Sequence, residues 1–277
     1  MSFEQIQTLA PLLDGIDKTQ YQIDNLKQKF PDAYVKLMDS WAVESTYNSN
    51  MIEGSTLSLG DTALVFDGAT INAPESDIYQ AEGGFAALRF LKKELIAGQN
   101  LTESLIKRAH EYIFAEATDP FTRGNYRTVE LEITGTPFEP TPACYVPERM
   151  ASLVKSIDKS SRHPVITAAL FHLEFESIHP FVNANGRTGR LISNFLLMKS
   201  GYEPINIQAE SRQRYINALR SFQLEDDPFP FVEFFCRNLE QRQSRILVCL
   251  EPQDWGGTDV KSSPIETYLS GGEVMHE

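Results

Sequence analysis

The stretch HPFVNANGRTGR, residues 179–190, decides how the surrounding chain is expected to fold. An apolar segment precedes it, and Pro180 prevents a helix from continuing into it. A few small and polar residues follow, after which apolar side chains recur at helical spacing. The sequence therefore predicts two helices, over residues 164–178 and 187–199, joined by a tight turn.

The same turn has the composition of an anion site. A loop that leads into a helix presents unpaired backbone N–H groups at the positive end of the helix dipole, which suits phosphate. Asn185 is the expected N-cap of the second helix, and Gly186 lets a ligand approach the backbone closely. Arg187 and Arg190 project from one side, where guanidinium groups fit phosphate oxygens. His179, at the mouth of the turn, is then placed to accept a proton near neutral pH.

Helical periodicity extends over most of the remaining chain, and one segment departs from it. Val129, Leu131 and Ile133 alternate with polar residues, which is the spacing of a strand, and Gly135 begins a turn. We expect a short β-hairpin here, the only sheet in a mainly α-helical bundle. The other predicted helices cover residues 18–38 with a break at Pro31, residues 40–53, a helix opened by Ser58, residues 76–97, a helix capped by Thr102, and residues 148–158, 210–222 and 229–248.

The composition excludes several classes of protein. The 277-residue chain carries a net charge of −13, so its mean field repels duplex nucleic acid and we expect no nucleic-acid partner. Its three cysteines are odd in number and include no CxxC pair, which argues against a disulfide framework. The N-terminus has no signal-peptide pattern, and no stretch approaches the roughly 20 apolar residues of a membrane span. We therefore expect a cytoplasmic protein with no membrane partner.

The stretch at 179–190 resembles the signature of the Fic family, HPFx(D/E)GNGRxxR. A second stretch, GNYRTVELEI at 124–133, resembles the strand and flap that this family places over its active site. The resemblance runs from about residue 40 to about residue 245. The signature positions that match are His179, Pro180, Phe181, Asn185, Gly186, Arg187 and Arg190.

The resemblance implies a fold, a reaction and a set of roles. The fold is a helical bundle with one β-hairpin, and the reaction passes AMP from ATP, with Mg²⁺, to a Ser, Thr or Tyr hydroxyl of a target protein. His179 would deprotonate that hydroxyl, and the flap would hold the target segment as an added strand. The residues so implied are Asn183, Asn185, Gly186, Arg187, Gly189, Arg190, Tyr215 and Gln223 for ATP, and Glu132, Ile133, Thr134 and Gly135 for the flap.

Two positions depart from the family signature. Asn183 stands where the family usually has the Asp or Glu that ligates Mg²⁺. An amide oxygen ligates without bringing charge, whereas Mg²⁺ favours carboxylates and phosphates. Metal binding then rests mostly on the nucleotide, and a weaker or slower enzyme is the expected result. Ala184 replaces the usual Gly, as in related sequences of the death-on-curing type, and its methyl group is a small intrusion.

A shorter stretch, SNMIEG at 49–54, resembles the inhibitory motif of the family, (S/T)xxxE(G/N), with Ser49 and Glu53 at its fixed positions. A carboxylate in the last turn of a helix is disfavoured by the helix dipole unless it pairs with a cation. Arg190 is the expected cation. A Glu53–Arg190 pair would occupy the space that the γ-phosphate needs, so the resemblance implies inhibition within one chain.

The resemblance also divides the chain. We expect an N-terminal helical region with the inhibitory helix over residues 1–56, a Fic domain over 57–250 and a polar tail over 251–277. A homo-oligomer is compatible with the sequence. His172 and Glu176 lie one turn apart, but two ligands alone do not make a metal site, and a structural role is expected for them.

Two alternatives stay open at this point. One is a different reaction at the same site, namely removal of AMP from a modified protein or transfer of phosphate or phosphocholine. The other is a non-catalytic, nucleotide-binding regulator that grips a partner through the flap. The departure at Asn183 is the feature that keeps the second alternative open.

Overall fold

A computed structural model describes residues 1–114, 122–133 and 135–250 of the chain. Within these residues the chain forms ten α-helices and no β-strand. The mainly α-helical prediction is therefore confirmed. The helices are α1 (Phe3–Lys29), α2 (Pro31–Ile52), α3 (Leu59–Phe66), α4 (Glu75–Ile96), α5 (Glu103–Ile113), α6 (Val146–Asp158), α7 (Pro164–Ile178), α8 (Asn185–Lys199), α9 (Arg212–Glu225) and α10 (Phe229–Leu250).

Local sequence signals account for several helix boundaries. The Ser58 hydroxyl accepts a hydrogen bond from the Asp61 amide at 3.0 Å, and the Asp61 carboxylate accepts one from the Ser58 amide at 3.2 Å, which closes a capping box. Thr102 caps α5 by accepting from the Leu105 amide at 3.0 Å. Pro31 marks the break between α1 and α2 and occupies the first turn of α2, where a missing N–H costs nothing.

One predicted boundary is wrong. The helices expected at 18–38 and 40–53 do not meet near residue 39, because α2 runs without interruption from Pro31 to Ile52. Neither Asp39 nor Ser40 breaks a helix, so the only strong breaker in this region is Pro31.

The predicted β-hairpin is not confirmed. Residues 129–133 form no strand, and among the described flap residues the turn is closed by a hydrogen bond of 3.4 Å from the Thr136 amide to the Ile133 carbonyl. Gly135 supplies the positive φ, 83°, that this turn uses. Thr134 and the tail at 251–277 lie outside the described residues. An isolated two-stranded hairpin is marginal in water, so alternation alone does not secure a ladder.

The centre of the bundle is formed by α7 and α8. The side chains of Phe171, Phe175 and Phe195 are fully buried between the surrounding helices. The N-terminal helix α1 packs along α10 and adds Leu9 and Ile16 to the same hydrophobic core. Because α7 and α8 are held on all sides, the turn that joins them is presented from a rigid support. None of the described helices is both long and apolar enough to cross a membrane.

Candidate functional site

The turn between α7 and α8 is built from two residues in the left-handed region. His179 has a φ of 50° and Ala184 a φ of 56°, which reverses the chain at the end of α7 and again at the start of α8. The Asn185 side chain holds the turn together, since its amide group donates to the Phe181 carbonyl at 2.8 Å and its oxygen accepts from the Phe181 amide at 2.9 Å. These contacts fix the backbone between the two helices.

The predicted N-cap role of Asn185 is wrong. The N-cap residue of α8 is Ala184, which offers no side-chain hydrogen bond, and Asn185 is the first residue of the helix. The amide of Asn185 closes the turn instead, because the reversal at His179 brings the backbone of Phe181 within its reach. The first N–H groups of α8 therefore lack a capping side chain and remain suited to an anion.

His179 stands at the mouth of this turn with the properties of a base. Its side chain retains 20% of its accessible surface. Burial lowers the pKa of the ring to about 4; the backbone of Glu176 and the carboxylate of Glu53 oppose this shift, and Arg127 adds to it. At neutral pH the ring is therefore uncharged and has a free lone pair.

The two arginines of α8 differ in their partners. Arg190 is saturated: its Nε donates to Ser49 Oγ at 2.9 Å, one Nη donates to the Ser49 carbonyl at 2.9 Å and to Glu53 Oε1 at 2.7 Å, and the other lies 3.4 Å from the Tyr215 hydroxyl. Arg187 is also buried, yet its Nε and one Nη have no hydrogen-bond partner among the described residues. A buried guanidinium with unused donors is suited to an anionic ligand.

Glu53 reaches the same place from the end of α2. Burial alone would raise the pKa of its carboxyl, but Arg190, Arg187 and Arg212 together lower that pKa, so Glu53 is ionised. Its Oε1 fills the hollow above Gly186, since a Cβ at that residue would collide with this oxygen and approach an Nη of Arg190 to 3.0 Å. The inhibitory residues and the signature arginine implied by the resemblance thus lie together.

Asn183 does not offer a free metal ligand. Its side-chain oxygen accepts from the Ala184 amide at 2.7 Å, within the turn itself. No group of three or more His, Cys, Asp or Glu residues in the described part of the chain is arranged to hold a metal ion. Because this oxygen carries no charge and already accepts a hydrogen bond, Asn183 fits a protein-held Mg²⁺ site less well than the usual carboxylate.

Three of the predicted ATP residues lie behind or beside the turn. Tyr215 is buried, and its hydroxyl lies 2.7 Å from Nε2 of His172. Gly189 faces α7, where a Cβ would lie 3.0 Å from both Glu176 Oε1 and His172 Nδ1. Gln223 is half-buried on α9. Tyr215 and Gly189 therefore support the site from inside the core, whereas Asn185, Gly186, Arg187 and Arg190 form the turn and the first helical turn.

Burial shifts the pKa values of His172 and Glu176, which lie behind the turn. Burial, with a smaller contribution from Arg190, lowers the pKa of His172 to about 3. Burial raises the pKa of Glu176 to about 8, a shift that Arg190 opposes and Glu53 reinforces. Glu176 Oε2 lies 3.9 Å from Nδ1 of His179. A protonated carboxyl group thus sits directly behind the proposed base.

Sequence reasoning missed His110. Its ring is buried and stacks on Phe181 with a centroid distance of 3.8 Å. Nδ1 accepts from the Gly124 amide at 3.0 Å, so Nε2 carries the hydrogen that the Asn183 carbonyl accepts at 3.1 Å. Burial lowers its pKa to about 4. The only sequence feature that indicated burial of His110 was its position next to Ala109 on the apolar side of α5.

Known proteins resemble this chain in sequence. The Fic/DOC family profile matches residues 100–197. Protein adenylyltransferase fic-1 of Caenorhabditis elegans is 28% identical over 277 residues, spanning 94% of this chain and 54% of the relative. Protein adenylyltransferase Fic of Drosophila willistoni is 32% identical over 239 residues, spanning 83% of this chain and 45% of the relative. The chain thus covers about half the length of these curated relatives.

Solved structures share the fold. A Fic domain containing signaling protein from Bacteroides thetaiotaomicron superposes with a TM-score of 0.77 at 28% identity, covering 86% of this chain and 99% of that one. Fic-1 from Caenorhabditis elegans superposes with a TM-score of 0.72 at 28% identity, covering 87% of this chain and 75% of that one. The family profile, the sequence relatives and the shared fold agree: the chain carries a Fic/DOC family domain.

Proposed function

We propose that this chain transfers AMP from ATP to a hydroxyl group of a target protein, and that Glu53 restrains the reaction. The observation that carries the proposal is the arrangement at one turn: an uncharged His179 at its mouth, a buried Arg187 with unused donors, and an Arg190 paired with Glu53. The names of the relatives, which are protein adenylyltransferases, support the same reaction class.

In the proposed reaction, His179 takes the proton of the target hydroxyl as its oxygen attacks the α-phosphorus of ATP. The new oxygen–phosphorus bond forms while the bond to the β-phosphate breaks, and pyrophosphate leaves. Arg187 and the amides of the first turn of α8 hold the phosphates and stabilise the developing charge. A Mg²⁺ ion would neutralise phosphate charge here and would be held mainly by the phosphates, because the Asn183 oxygen is neutral and already accepts a hydrogen bond.

Glu53 restrains this reaction by occupying the γ-phosphate position. Its carboxylate takes the Nη of Arg190 and fills the hollow above Gly186. A triphosphate that enters with Glu53 in place meets a negative charge where it needs a positive one. We therefore propose that displacement of Glu53 precedes productive ATP binding, and that the helix α2 is the element that must shift.

The flap is proposed to bind the target. Glu132, Ile133 and Gly135 lie on its described part, and Val129 at its base keeps 53% of its surface exposed. None of the described flap residues pairs in a sheet, so the flap is open to a target segment in extended form. The carbonyls of Val129, Ile133 and Gly135 already accept hydrogen bonds within the chain, so the added strand would pair with other backbone groups of the flap. A cytoplasmic location, the division at residues 56 and 250, and a homo-oligomer remain predictions from sequence.

The test uses ATP labelled at the α or the γ phosphate, with a mixed protein lysate as the source of hydroxyl groups. In the Glu53→Gly variant we expect protein labelling from α-labelled ATP to rise at least about tenfold over the unsubstituted chain, and labelling from γ-labelled ATP not to rise. Adding His179→Ala to the Glu53→Gly variant should abolish the gain in labelling from α-labelled ATP. Asp67→Gly, at the exposed C-cap of α3, is the matched control and should leave labelling unchanged. Equal labelling in the Glu53→Gly and unsubstituted chains would refute the restraint.

One observation favours a second function. Asn183 replaces the usual acid for Mg²⁺, and its oxygen is engaged in the turn, so a nucleotide-binding regulator without turnover is compatible with the site. Calorimetry separates the two. ATP binding by the Glu53→Gly variant without any transfer would favour the regulator, as would transfer that appears only when Asn183→Asp is added. Transfer by the Glu53→Gly variant itself would favour the enzyme.

A further inference from the structure

Arg127 lies where the flap segment meets the turn that carries His179. Its side chain is completely buried, and its Nε donates to the His179 carbonyl at 2.8 Å. One Nη donates to the Ile178 carbonyl at 3.3 Å and to the Thr141 carbonyl, and the other donates to the Val129 carbonyl at 3.0 Å. Every nitrogen of this guanidinium is therefore bonded to a main-chain carbonyl.

These carbonyl groups belong to two parts of the molecule. Ile178 and His179 end the helix α7, where unpaired carbonyls carry the negative end of the helix dipole. Val129 and Thr141 belong to the two arms of the flap. A planar cation with donors in fixed directions can bridge four such acceptors, whereas an ammonium group cannot. The bridge therefore depends on arginine itself.

Backbone contacts reinforce the same junction. The Arg127 amide donates to the Pro180 carbonyl at 2.9 Å, and the Thr141 amide donates to the Ser177 carbonyl at 3.2 Å. Both flap arms are thus attached to the chain on either side of His179. Glu130 adds a further tie: its carboxylate lies 3.6 Å from Arg127 and accepts from the Ala143 amide at 3.0 Å.

The location of these bonds separates Arg127 from the phosphate site. None of its described hydrogen bonds reaches residues 183–190, which form the anion-binding part of the turn. His179 itself has a left-handed backbone, which a non-glycine residue holds only when its surroundings impose it. The Arg127 guanidinium on the His179 carbonyl and the Arg127 amide on the Pro180 carbonyl hold the chain on this side in that conformation.

We infer that Arg127 is a positioning residue that sets His179 and the target-binding flap in one fixed relation. The inference rests on the proposed function, since it assigns to Arg127 the alignment of the base with the docked hydroxyl. A target segment on the flap and the ring of His179 then share one support. Loss of the guanidinium should misplace the base relative to the target while leaving the phosphate site intact.

The test compares Arg127→Lys with Arg149→Lys, both in the Glu53→Gly background. Arg149 is an exposed arginine on α6 whose guanidinium lies 3.6 Å from Glu174. Its replacement by Lys controls for the exchange of a guanidinium for an ammonium group at constant charge. We measure the ATP Kd by calorimetry and the single-turnover rate of transfer at saturating ATP. For Arg127→Lys we expect a rate about 100-fold lower, with a Kd within about threefold of the parent.

The control variant should match the parent in both measurements. A transfer rate within about threefold of the parent for folded Arg127→Lys would overturn the inference. So would a loss of ATP affinity equal to the loss of rate, because Arg127 would then act through the phosphate site. Absence of transfer by the Glu53→Gly parent itself would instead count against the proposed function, and so the two failures are distinguishable.

A second measurement keeps the inference testable if Arg127→Lys does not fold. In the unsubstituted chain, the Nε–H of Arg127 should be visible by NMR at neutral pH and exchange with solvent far more slowly than that of the exposed Arg149. Exchange of the two at equal rates would show that the buried bridge does not form and would overturn the inference. This measurement needs neither ATP nor a target.

Discussion

At the scale of single residues, burial determines which groups near the turn are charged. His179 and Glu176 both titrate far from their ordinary pKa, in the direction that keeps each one neutral at pH 7. Glu53, which keeps 37% of its side-chain surface, is ionised because Arg190, Arg187 and Arg212 lower the pKa of its carboxyl. The site thus combines a neutral imidazole, a neutral carboxyl group behind it and a carboxylate paired with arginine in front.

The depressed pKa of His179 predicts an unusual activity profile. The base must be unprotonated, and with a pKa of about 4 it stays so throughout the range in which an ordinary histidine, at about 6.5, would become charged. We expect the transfer rate of the Glu53→Gly variant at saturating ATP to change less than about twofold between pH 7.5 and 5.5. A fall to half near pH 6.5, in a chain still folded by circular dichroism, would contradict this assignment.

Glu176 predicts a dependence of stability on pH. Its folded pKa, about 8, lies above its ordinary value of 4.5. Between these two values the folded chain keeps a proton that the unfolded chain releases, so this group destabilises the fold increasingly as pH rises from about 5 to about 8. We expect Glu176→Gln to gain Tm relative to the unsubstituted chain across this window. A Tm difference that does not grow with pH would show that Glu176 is not a buried acid.

At the scale of elements, the position of Glu53 follows from how α2 is fixed. The Trp41 indole donates to the Ile205 carbonyl at 3.1 Å, and Asn48 accepts from the Ala209 amide at 2.8 Å. At the end of the helix, Arg212 donates to the Ile52 carbonyl at 2.9 Å. The first two contacts reach the segment between α8 and α9, and the third reaches the first residue of α9, so this part of the chain sets where the last turn of α2 lies.

Arg212 is therefore predicted to support the restraint. Replacing it with Gln removes the bond to Ile52 and one of the positive charges that lower the pKa of Glu53. We expect Arg212→Gln to raise AMP transfer about two- to fivefold, less than Glu53→Gly, because the Arg190 pair remains. In the Glu53→Gly background the same change should have no effect. An additive gain in the double variant would mean that Arg212 acts elsewhere in catalysis.

Helices were predictable from sequence where local signals agree. The capping box at Ser58, the cap at Thr102 and Pro31 at a helix start act within one turn of chain, so periodicity and caps locate α3, α5 and the start of α2. The conformation of the flap was not predictable, because strand pairing needs a partner strand and local alternation does not show whether one is present. The N-cap role of Asn185 failed for a related reason, since the reversal at His179 decides which backbone the amide meets.

At the scale of the whole molecule, the N-terminal helices and the rest of the chain share one core. Leu9 and Ile16 of α1 belong to the same buried cluster as residues of α7, α8 and α10. A second set of contacts surrounds buried Glu203, which binds Lys27 at 3.1 Å and the Tyr34 hydroxyl at 2.9 Å. The region proposed as residues 1–56 therefore depends on the remainder for its burial.

This shared core predicts cooperative unfolding. We expect Leu9→Ala to lower the free energy of unfolding by about 2–5 kcal/mol, because it removes a fully packed side chain. The denaturant transitions followed by far-UV and near-UV circular dichroism should still coincide. Ile96→Ala, at a side chain that is 79% exposed, is the control and should change stability by less than about 0.5 kcal/mol. A separate early transition in the Leu9→Ala chain would show that α1 unfolds on its own.

The site was predictable only in part, for reasons of distance along the chain. His179, Arg187 and Arg190 were found because they lie in one short segment with a recognisable pattern. The partner of Arg190 was found because Glu53 belongs to a second pattern, although 137 residues separate the two. His110 and Arg127 were missed because their roles arise from contacts with main-chain groups of the turn, and sequence spacing carries no trace of such contacts.

The hollow above Gly186 has a further consequence for how the restraint behaves. In the proposed mechanism, Glu53 competes with the nucleotide for a site in its own chain. Its effective concentration is therefore set by α2 and not by the amount of protein. Dilution of the protein does not weaken this competition. The measured ATP affinity is the affinity of the vacant hollow multiplied by the fraction of chains in which the hollow is vacant. A competitor supplied by a neighbouring chain would instead lose its hold as the protein is diluted.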